Sequence, residues 1–130
     1  MYTEIYLVDD LEMTNVMHQV LFRQLGMEDR INAYTNPEEA LDSLRMDKDN
    51  AAQKLVLLDI CMPEMTGFEF LEFMVLEEFP ESIDVIIVTS STEPADKILA
   101  EQYPQFVKGF VQKPLQIENL VEIMSGSYCM

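Results

Sequence analysis

The sequence predicts an α/β fold in which helices cover both faces of a parallel sheet. Short hydrophobic runs recur along the chain, and segments with a helical spacing of apolar residues separate them. Parallel strands need long crossover connections, which such helical segments supply with a right-handed turn. Five strands alternating with five helices therefore predict a three-layer sandwich, with residues 1–130 forming one domain.

The first predicted strand is Ile5–Val8, and a helix with apolar residues at the spacing i, i+3, i+4, i+7 follows it. Those apolar residues are Met13, Val16, Met17, Val20, Leu21 and Leu25. Gly26 is expected to end this helix. A weaker strand covers Ile31–Tyr34.

The second predicted helix begins at Asn36, which can cap it. Pro37 suits the first helical position and Glu39 the third. Its buried stripe is predicted to contain Ala40, Leu41 and Leu44. The aperiodic polar stretch 47–53 is predicted to be a loop before a third strand that ends at Leu58.

A loop over residues 60–67 is expected next, because Pro63 cannot donate a ladder hydrogen bond and Gly67 permits unusual dihedral angles. The third predicted helix contains the apolar residues Phe68, Leu71, Met74 and Val75. The fourth strand covers Ile83–Val88.

The fourth predicted helix begins at Thr92-Glu93-Pro94 and runs to about Gln102. Its apolar face is weak and consists of Ala95, Ile98, Leu99 and Ala100. A fifth strand follows over Gly109–Gln112. The last helix contains Ile117, Leu120, Val121 and Met124, and a polar tail is expected from about residue 125.

Polar side chains follow four of these strands where each strand ends. They are Asp9 and Asp10, Asp59, Thr89, and Lys113. Because ligand sites in open α/β sheets form at the carboxyl ends of the strands, we expect these side chains to converge. Carboxylates about 4 Å apart repel each other by about 4 kcal/mol at an effective dielectric constant near 20, so the site requires a hard divalent cation.

Composition excludes several classes of function. The formal net charge of −16 opposes direct binding to nucleic acid, and no hydrophobic run approaches the length of a membrane helix. The amino-terminal residues lack the basic start of a signal peptide. Cys61 and Cys129 form neither a metal-binding pair nor a redox motif, so a cytoplasmic location is expected. The single histidine, His18, is interpreted as structural.

Five motifs occur in a characteristic order: Asp9-Asp10, Leu58-Asp59, Met62-Pro63-x-Met65-x-Gly67, Thr89-Ser90 and Lys113-Pro114. With them the whole chain resembles the receiver domain of two-component response regulators. The resemblance implies a flavodoxin-like (βα)5 fold with strand order 2-1-3-4-5. It also implies phosphorylation of an aspartate by a histidine kinase or a histidine phosphotransfer protein.

The resemblance also implies a role for each site residue. Asp59 would be the phosphoacceptor. Asp10, Asp59 and the main-chain carbonyl of Cys61 would bind Mg²⁺ directly, while Asp9 would act through water. Lys113 and Thr89 would contact the phosphoryl oxygens.

The same resemblance makes Phe110 a switch aromatic that moves together with Thr89. A fixed core phenylalanine would fit the same sequence pattern. Departures from the family pattern occur at Phe106-Val107, where many receivers have Gly-Ala. Cys61 and Ser91 occupy the positions that tune the lifetime of the phosphorylated state in this family.

Three functions are consistent with these residues. The first is a stand-alone receiver that signals to an unknown downstream protein through the face formed by helix 4, strand 5 and helix 5. The second is a Mg²⁺-dependent phosphohydrolase with an aspartyl nucleophile, although Asp9-Asp10-Leu11 is not its usual Asp-x-Asp motif. The third is a degenerate receiver that binds partners without being phosphorylated.

Overall fold

The computed structural model describes residues 2–47 and 52–126. Five strands and five α-helices alternate along these residues. The strands are β1 (Glu4–Val8), β2 (Ile31–Tyr34), β3 (Lys54–Leu58), β4 (Ile83–Thr89) and β5 (Val107–Gln112). The α-helices are α1 (Glu12–Gln24), α2 (Pro37–Met46), α3 (Gly67–Leu76), α4 (Pro94–Ala100) and α5 (Ile117–Ser125), and a 3-10 turn, Glu28–Arg30, precedes β2. The predicted tail beyond Gly126 and most of the predicted loop at 47–53 lie outside the described residues.

All neighbouring strands pair in parallel, in the order β2-β1-β3-β4-β5, which confirms the predicted flavodoxin-like fold. Val8, the last residue of β1, is level with Tyr34 in β2 and with Leu58 in β3. The strand ends therefore lie along one edge of the sheet, and the residues that follow them share that edge.

The side chains of each strand alternate between two hydrophobic cores. Tyr6 and Val8 belong to the core beneath α2 and α3, while Ile5 and Leu7 belong to the core beneath α1 and α5. β3 is buried along its whole length, because helices cover both of its faces. None of the helices in the described ranges is long and apolar enough to cross a membrane.

Much of the apolar stripe of α1 faces away from the core. Met13 and Met17 are 70% and 55% exposed, and Val16 and Val20 are also exposed. The buried face of this helix contains Asn15, His18 and Phe22 instead. Leu21 and Leu25 of the same apolar spacing are partly buried and pack against the core beneath α1 and α5, so the predicted helix is confirmed but only part of its apolar stripe reaches the core.

The region of α4 and β5 also differs in detail from the prediction. α4 ends at Ala100, its only buried residue, and its amino-terminal cap is Glu93 rather than Thr92. The hydroxyl of Ser91 accepts the hydrogen bond from the Glu93 amide. β5 begins at Val107, two residues before the predicted start. The bulky pair Phe106-Val107 is buried in the core at this point.

Candidate functional site

Three aspartates from two strand ends form the centre of the site. Asp9 and Asp10 follow β1, and Asp59 follows β3. One carboxylate oxygen from each of them lies within 4.8 Å of the others. Asp9 is 3% exposed and Asp59 is 5% exposed. The structure thus brings together the acidic residues that the sequence places at neighbouring strand ends.

Lys113, which follows β5, provides the positive charge of the site. Its ammonium group lies 2.7 Å from a carboxylate oxygen of Asp9 and 3.5 Å from one of Asp59. Its backbone amide donates a hydrogen bond to the Thr89 carbonyl, and its peptide bond to Pro114 is cis. Burial alone would lower the pKa of Lys113, but the hydrogen bond to Asp9 and the two carboxylate charges raise it.

Backbone amides hold two of the three carboxylates. The Leu11 amide donates to Asp9 at 2.9 Å, and the Cys61 amide donates to Asp59 at 3.2 Å. Burial nevertheless raises the pKa of Asp59 above its ordinary value, with a smaller contribution from the charge of Asp9. The Cys61 amide and Lys113 oppose this increase. Asp59 therefore lies in a site where its charged form is poorly stabilised without a further cation.

Thr89 ends β4 and is completely buried. Its hydroxyl oxygen accepts a hydrogen bond from the Ser91 amide at 3.2 Å. The Ser91 hydroxyl in turn hydrogen-bonds to the Asp96 carboxylate in the first turn of α4. These contacts connect the strand end beside the acidic cluster to the start of α4.

Phe110 lies in β5, level with Ile87 of β4. It is half-buried, packs against the core beneath α2 and α3, and lines a cavity of about 340 Å³ with Gln112 and Asn119. Phe110 therefore borders both the core and this cavity.

Gly67 contributes space rather than an unusual dihedral angle. Its φ is not positive, which corrects the prediction for this residue. A β-carbon there would lie 2.7 Å from the Asp59 carbonyl oxygen and 2.8 Å from the Ile60 α-carbon. Next to it, Thr66 and Glu69 form a capping box at the start of α3 that the sequence pattern Thr-x-x-Glu identifies. The loop therefore packs directly against the backbone of Asp59.

The donor set of the cluster fits a small divalent cation. Three carboxylates and one ammonium group carry a net charge of −2 when they are ionised. All the donors are oxygens, which Mg²⁺ prefers, and its need for few protein ligands suits a cluster of three.

Two further residues of α1 border the site. Asn15 is buried beneath the acidic pair and was not among the predicted site residues, although it is an amide on a buried helix face. His18 is buried as well, and this burial lowers its pKa to about 4 although the charge of Asp9 acts in the opposite direction. His18 and Lys113 are the two basic residues that line a largely apolar groove of about 450 Å³ along α1.

Comparisons with known proteins agree with this geometry. Residues 5–125 match the family model described as the response regulator receiver domain. The chain is 31% identical over 118 residues to a probable methanogenesis regulatory protein, FilR2, of Methanothrix harundinacea, covering 89% of this chain and 75% of that protein. It is 27% identical over 129 residues to the two-component response regulator ORR1 of Oryza sativa subsp. japonica, covering 96% of this chain.

The chain spans only 55% of that rice protein. Among solved structures, a two-component response regulator from Cytophaga hutchinsonii superposes with a TM-score of 0.84 at 23% identity, and the match covers 95% of each chain. At this identity the similarity supports the fold alone.

Proposed function

The chain belongs to the response regulator receiver domain family of two-component signalling, and we propose that it accepts a phosphoryl group on Asp59 from a histidine kinase or a histidine phosphotransfer protein. The observation that supports this most is the placement of Asp59. Its buried carboxylate lies beside two further aspartates and 3.5 Å from an ammonium group.

The proposed reaction is a transfer of phosphorus from nitrogen to oxygen. A carboxylate oxygen of Asp59 attacks the phosphorus of the donor's phosphohistidine, and an O–P bond forms as the P–N bond breaks. The electron pair of that bond remains on the imidazole of the donor. Such transfer needs in-line positioning and neutralisation of charge on the phosphoryl oxygens rather than further covalent chemistry.

Lys113 and Thr89 are proposed to contact the transferred group. The ammonium group of Lys113 already lies near both Asp9 and Asp59, so a phosphoryl group on Asp59 would be within its reach. The Thr89 hydroxyl uses its oxygen as an acceptor for the Ser91 amide, which leaves its proton available for a phosphoryl oxygen.

A magnesium ion is proposed to bind to Asp10, Asp59 and the main-chain carbonyl of Cys61, with Asp9 acting through water. When bound, Mg²⁺ neutralises the charge that gathers on the phosphoryl oxygens. The Cys61 amide keeps Asp59 in place by its hydrogen bond, and the close packing of Gly67 restrains the backbone of the same residue.

The phosphodonor is proposed to bind along α1. Three exposed apolar residues of this helix line the groove together with Lys113 and His18: Val16, Met17 and Val20. A fourth, Met13, is exposed one turn before Met17. Monomeric surfaces rarely expose a continuous apolar stripe of this kind without a binding role. A helix of the donor that packs there would bring its phosphohistidine to the edge of the sheet where Asp59 lies.

The signal is proposed to leave through α4, β5 and α5. Phosphorylation would draw the Thr89 hydroxyl toward the phosphoryl group and away from the Ser91 amide. Because Ser91 hydrogen-bonds to the first turn of α4, this movement would be transmitted to that helix. Phe110 would turn toward the space that Thr89 leaves, and the surface offered to a downstream protein would change.

Incubation with acetyl phosphate and Mg²⁺ tests the proposal. Intact-mass spectrometry should detect one added phosphoryl group on the wild type and none on Asp59→Asn. Asp84→Asn is a matched control, since Asp84 lies in β4 at the opposite end of the sheet and accepts a hydrogen bond from Tyr2. Uptake by Asp59→Asn at the wild-type rate would refute the assignment, and many turnovers on a phosphate ester would favour the phosphohydrolase.

A further inference from the structure

The amide side chain of Asn15 bridges two strand ends at the acidic site. Its nitrogen donates to the Asp9 carbonyl at 3.2 Å and to the Tyr34 carbonyl at 3.0 Å. The Asp9 amide, one residue beyond β1, also donates to the Tyr34 carbonyl at 3.1 Å and continues the hydrogen bonding between β1 and β2. Asn15 therefore extends the hydrogen bonding of the sheet by one step, into the loop that contains Asp9 and Asp10.

Asp10 depends on this loop more than the other two carboxylates do. The Asp9 carboxylate is held by the Leu11 amide and by Lys113, and that of Asp59 by the Cys61 amide and Lys113. Within the described ranges, the Asp10 carboxylate has no hydrogen bond or ion pair. Its direction is thus set by the backbone, and the Asp9 carbonyl that Asn15 holds belongs to the peptide unit that joins Asp9 to Asp10.

Apolar packing alone does not account for Asn15. It is 2% exposed, and its side-chain oxygen is buried without a hydrogen-bond partner among the described residues. Buried polar atoms are nearly always paired, because an unpaired one disfavours folding. Phe22, two turns further on the same face, is a fully buried apolar residue. An amide at position 15 therefore needs a reason beyond packing, and its two donated hydrogen bonds supply one.

We infer that Asn15 is a positioning residue which holds the Asp9–Asp10 peptide unit so that the Asp10 carboxylate faces the cation site before the cation arrives. The inference rests on the proposed Mg²⁺ site. Outer partners that orient metal ligands typically change metal affinity by roughly 10- to 100-fold when they are removed. Removing Asn15 should therefore weaken Mg²⁺ binding without changing any direct ligand.

The test compares Asn15→Leu and Asn15→Ala with Phe22→Leu. Phe22→Leu loosens the same helix face but leaves both hydrogen bonds of Asn15 in place, so it controls for lost stability. Mg²⁺ affinity is measured by NMR titration, and the mobility of the Asp10 amide by ¹⁵N relaxation in metal-free protein. We expect affinity to fall about tenfold or more in both Asn15 variants and less than twofold in Phe22→Leu, with a more mobile Asp10 amide only in the Asn15 variants.

Unchanged affinity in the Asn15 variants would overturn the inference and leave the proposed function intact. An equal loss in Phe22→Leu would overturn it too, because the effect would then reflect general loosening of α1. A wild type that binds no Mg²⁺ would instead refute the proposed cation site. In that case the relaxation of the Asp10 amide would still decide whether Asn15 holds the loop.

Discussion

Replacing Asp59 by asparagine should stabilise the metal-free protein at pH 7. The Asp59 carboxylate lies within 4.8 Å of two other carboxylates, and at an effective dielectric constant near 20 each repels it by about 3.5 kcal/mol. The ammonium group 3.5 Å away attracts it by about 5 kcal/mol under the same assumption. The balance is a net repulsion of about 2 kcal/mol, and burial of the carboxylate, the largest cause of its raised pKa, adds to it; the neutral amide of the Asp59→Asn variant would experience neither cost.

The stabilisation should depend on pH in a definite direction. The folded-state pKa of Asp59 is raised. Compared with Asp59→Asn, the wild type is therefore most stable below pH 4, which is about the pKa of this carboxyl in the unfolded chain. It loses that relative stability as the pH rises through the pKa of the carboxyl in the folded protein. The advantage of Asp59→Asn should grow as the pH rises through the folded-state pKa and should vanish below about pH 4. The hydrogen bond from the Cys61 amide can persist, since asparagine keeps an acceptor oxygen.

Urea unfolding followed by far-UV circular dichroism, at low salt and with chelator, measures the effect. Asp29→Asn, at an exposed position in the 3-10 turn before β2, is the control for loss of one negative charge elsewhere. Mg²⁺ should then stabilise the wild type and leave Asp59→Asn unchanged, because a ligand stabilises only the state that binds it. An Asp59→Asn protein that is less stable than the wild type at pH 7, or whose advantage does not change with pH, would refute the electrostatic reasoning.

Three other changes have defined outcomes. Gly67→Ala should lower the free energy of unfolding by about 1–3 kcal/mol, because its β-carbon would lie 2.7 Å from a backbone oxygen; an unchanged urea midpoint would show that the loop can move aside. Thr89→Ala should still be phosphorylated at Asp59 but should lose most of the chemical-shift change in α4 and β5 on adding beryllofluoride, and an undiminished response would place the signal elsewhere. The imidazole of His18 should titrate in NMR spectra with a pKa of about 4 rather than 6.5. The neutral imidazole contributes to stability above pH 6.5, and this contribution is lost as the pH falls toward 4. The wild type should therefore lose about 3 kcal/mol of unfolding free energy over this range that His18→Leu does not lose.

The fold could be predicted from the sequence because its signals are local. A buried strand such as β3 reads as a continuous hydrophobic run, and cap residues such as Asn36 mark where helices begin. The acidic pair and Asp59 directly follow their strands, so the parallel arrangement alone implies that they meet. Boundaries that depend on packing, such as the end of α4 and the start of β5, were predicted less well.

The face that α1 buries could not be predicted from its spacing. Periodicity locates an apolar stripe but does not say whether the core or a partner will cover it. α1 buries its more polar side, where Asn15 donates hydrogen bonds to the carbonyls of Asp9 and Tyr34. The stripe containing Met13 and Met17 remains exposed as a result.

The sequence by itself determined which chemical groups stand at the strand ends, because each follows its strand directly in the chain. Only the tertiary structure decided how they pair. Lys113 lies 104 positions from Asp9, yet its ammonium group hydrogen-bonds to that carboxylate at 2.7 Å. Likewise, position 67 needs glycine because the fold places the backbone of Asp59 too close for a β-carbon there. Contacts between distant segments depend on how the elements pack, and no local pattern in the chain encodes those distances.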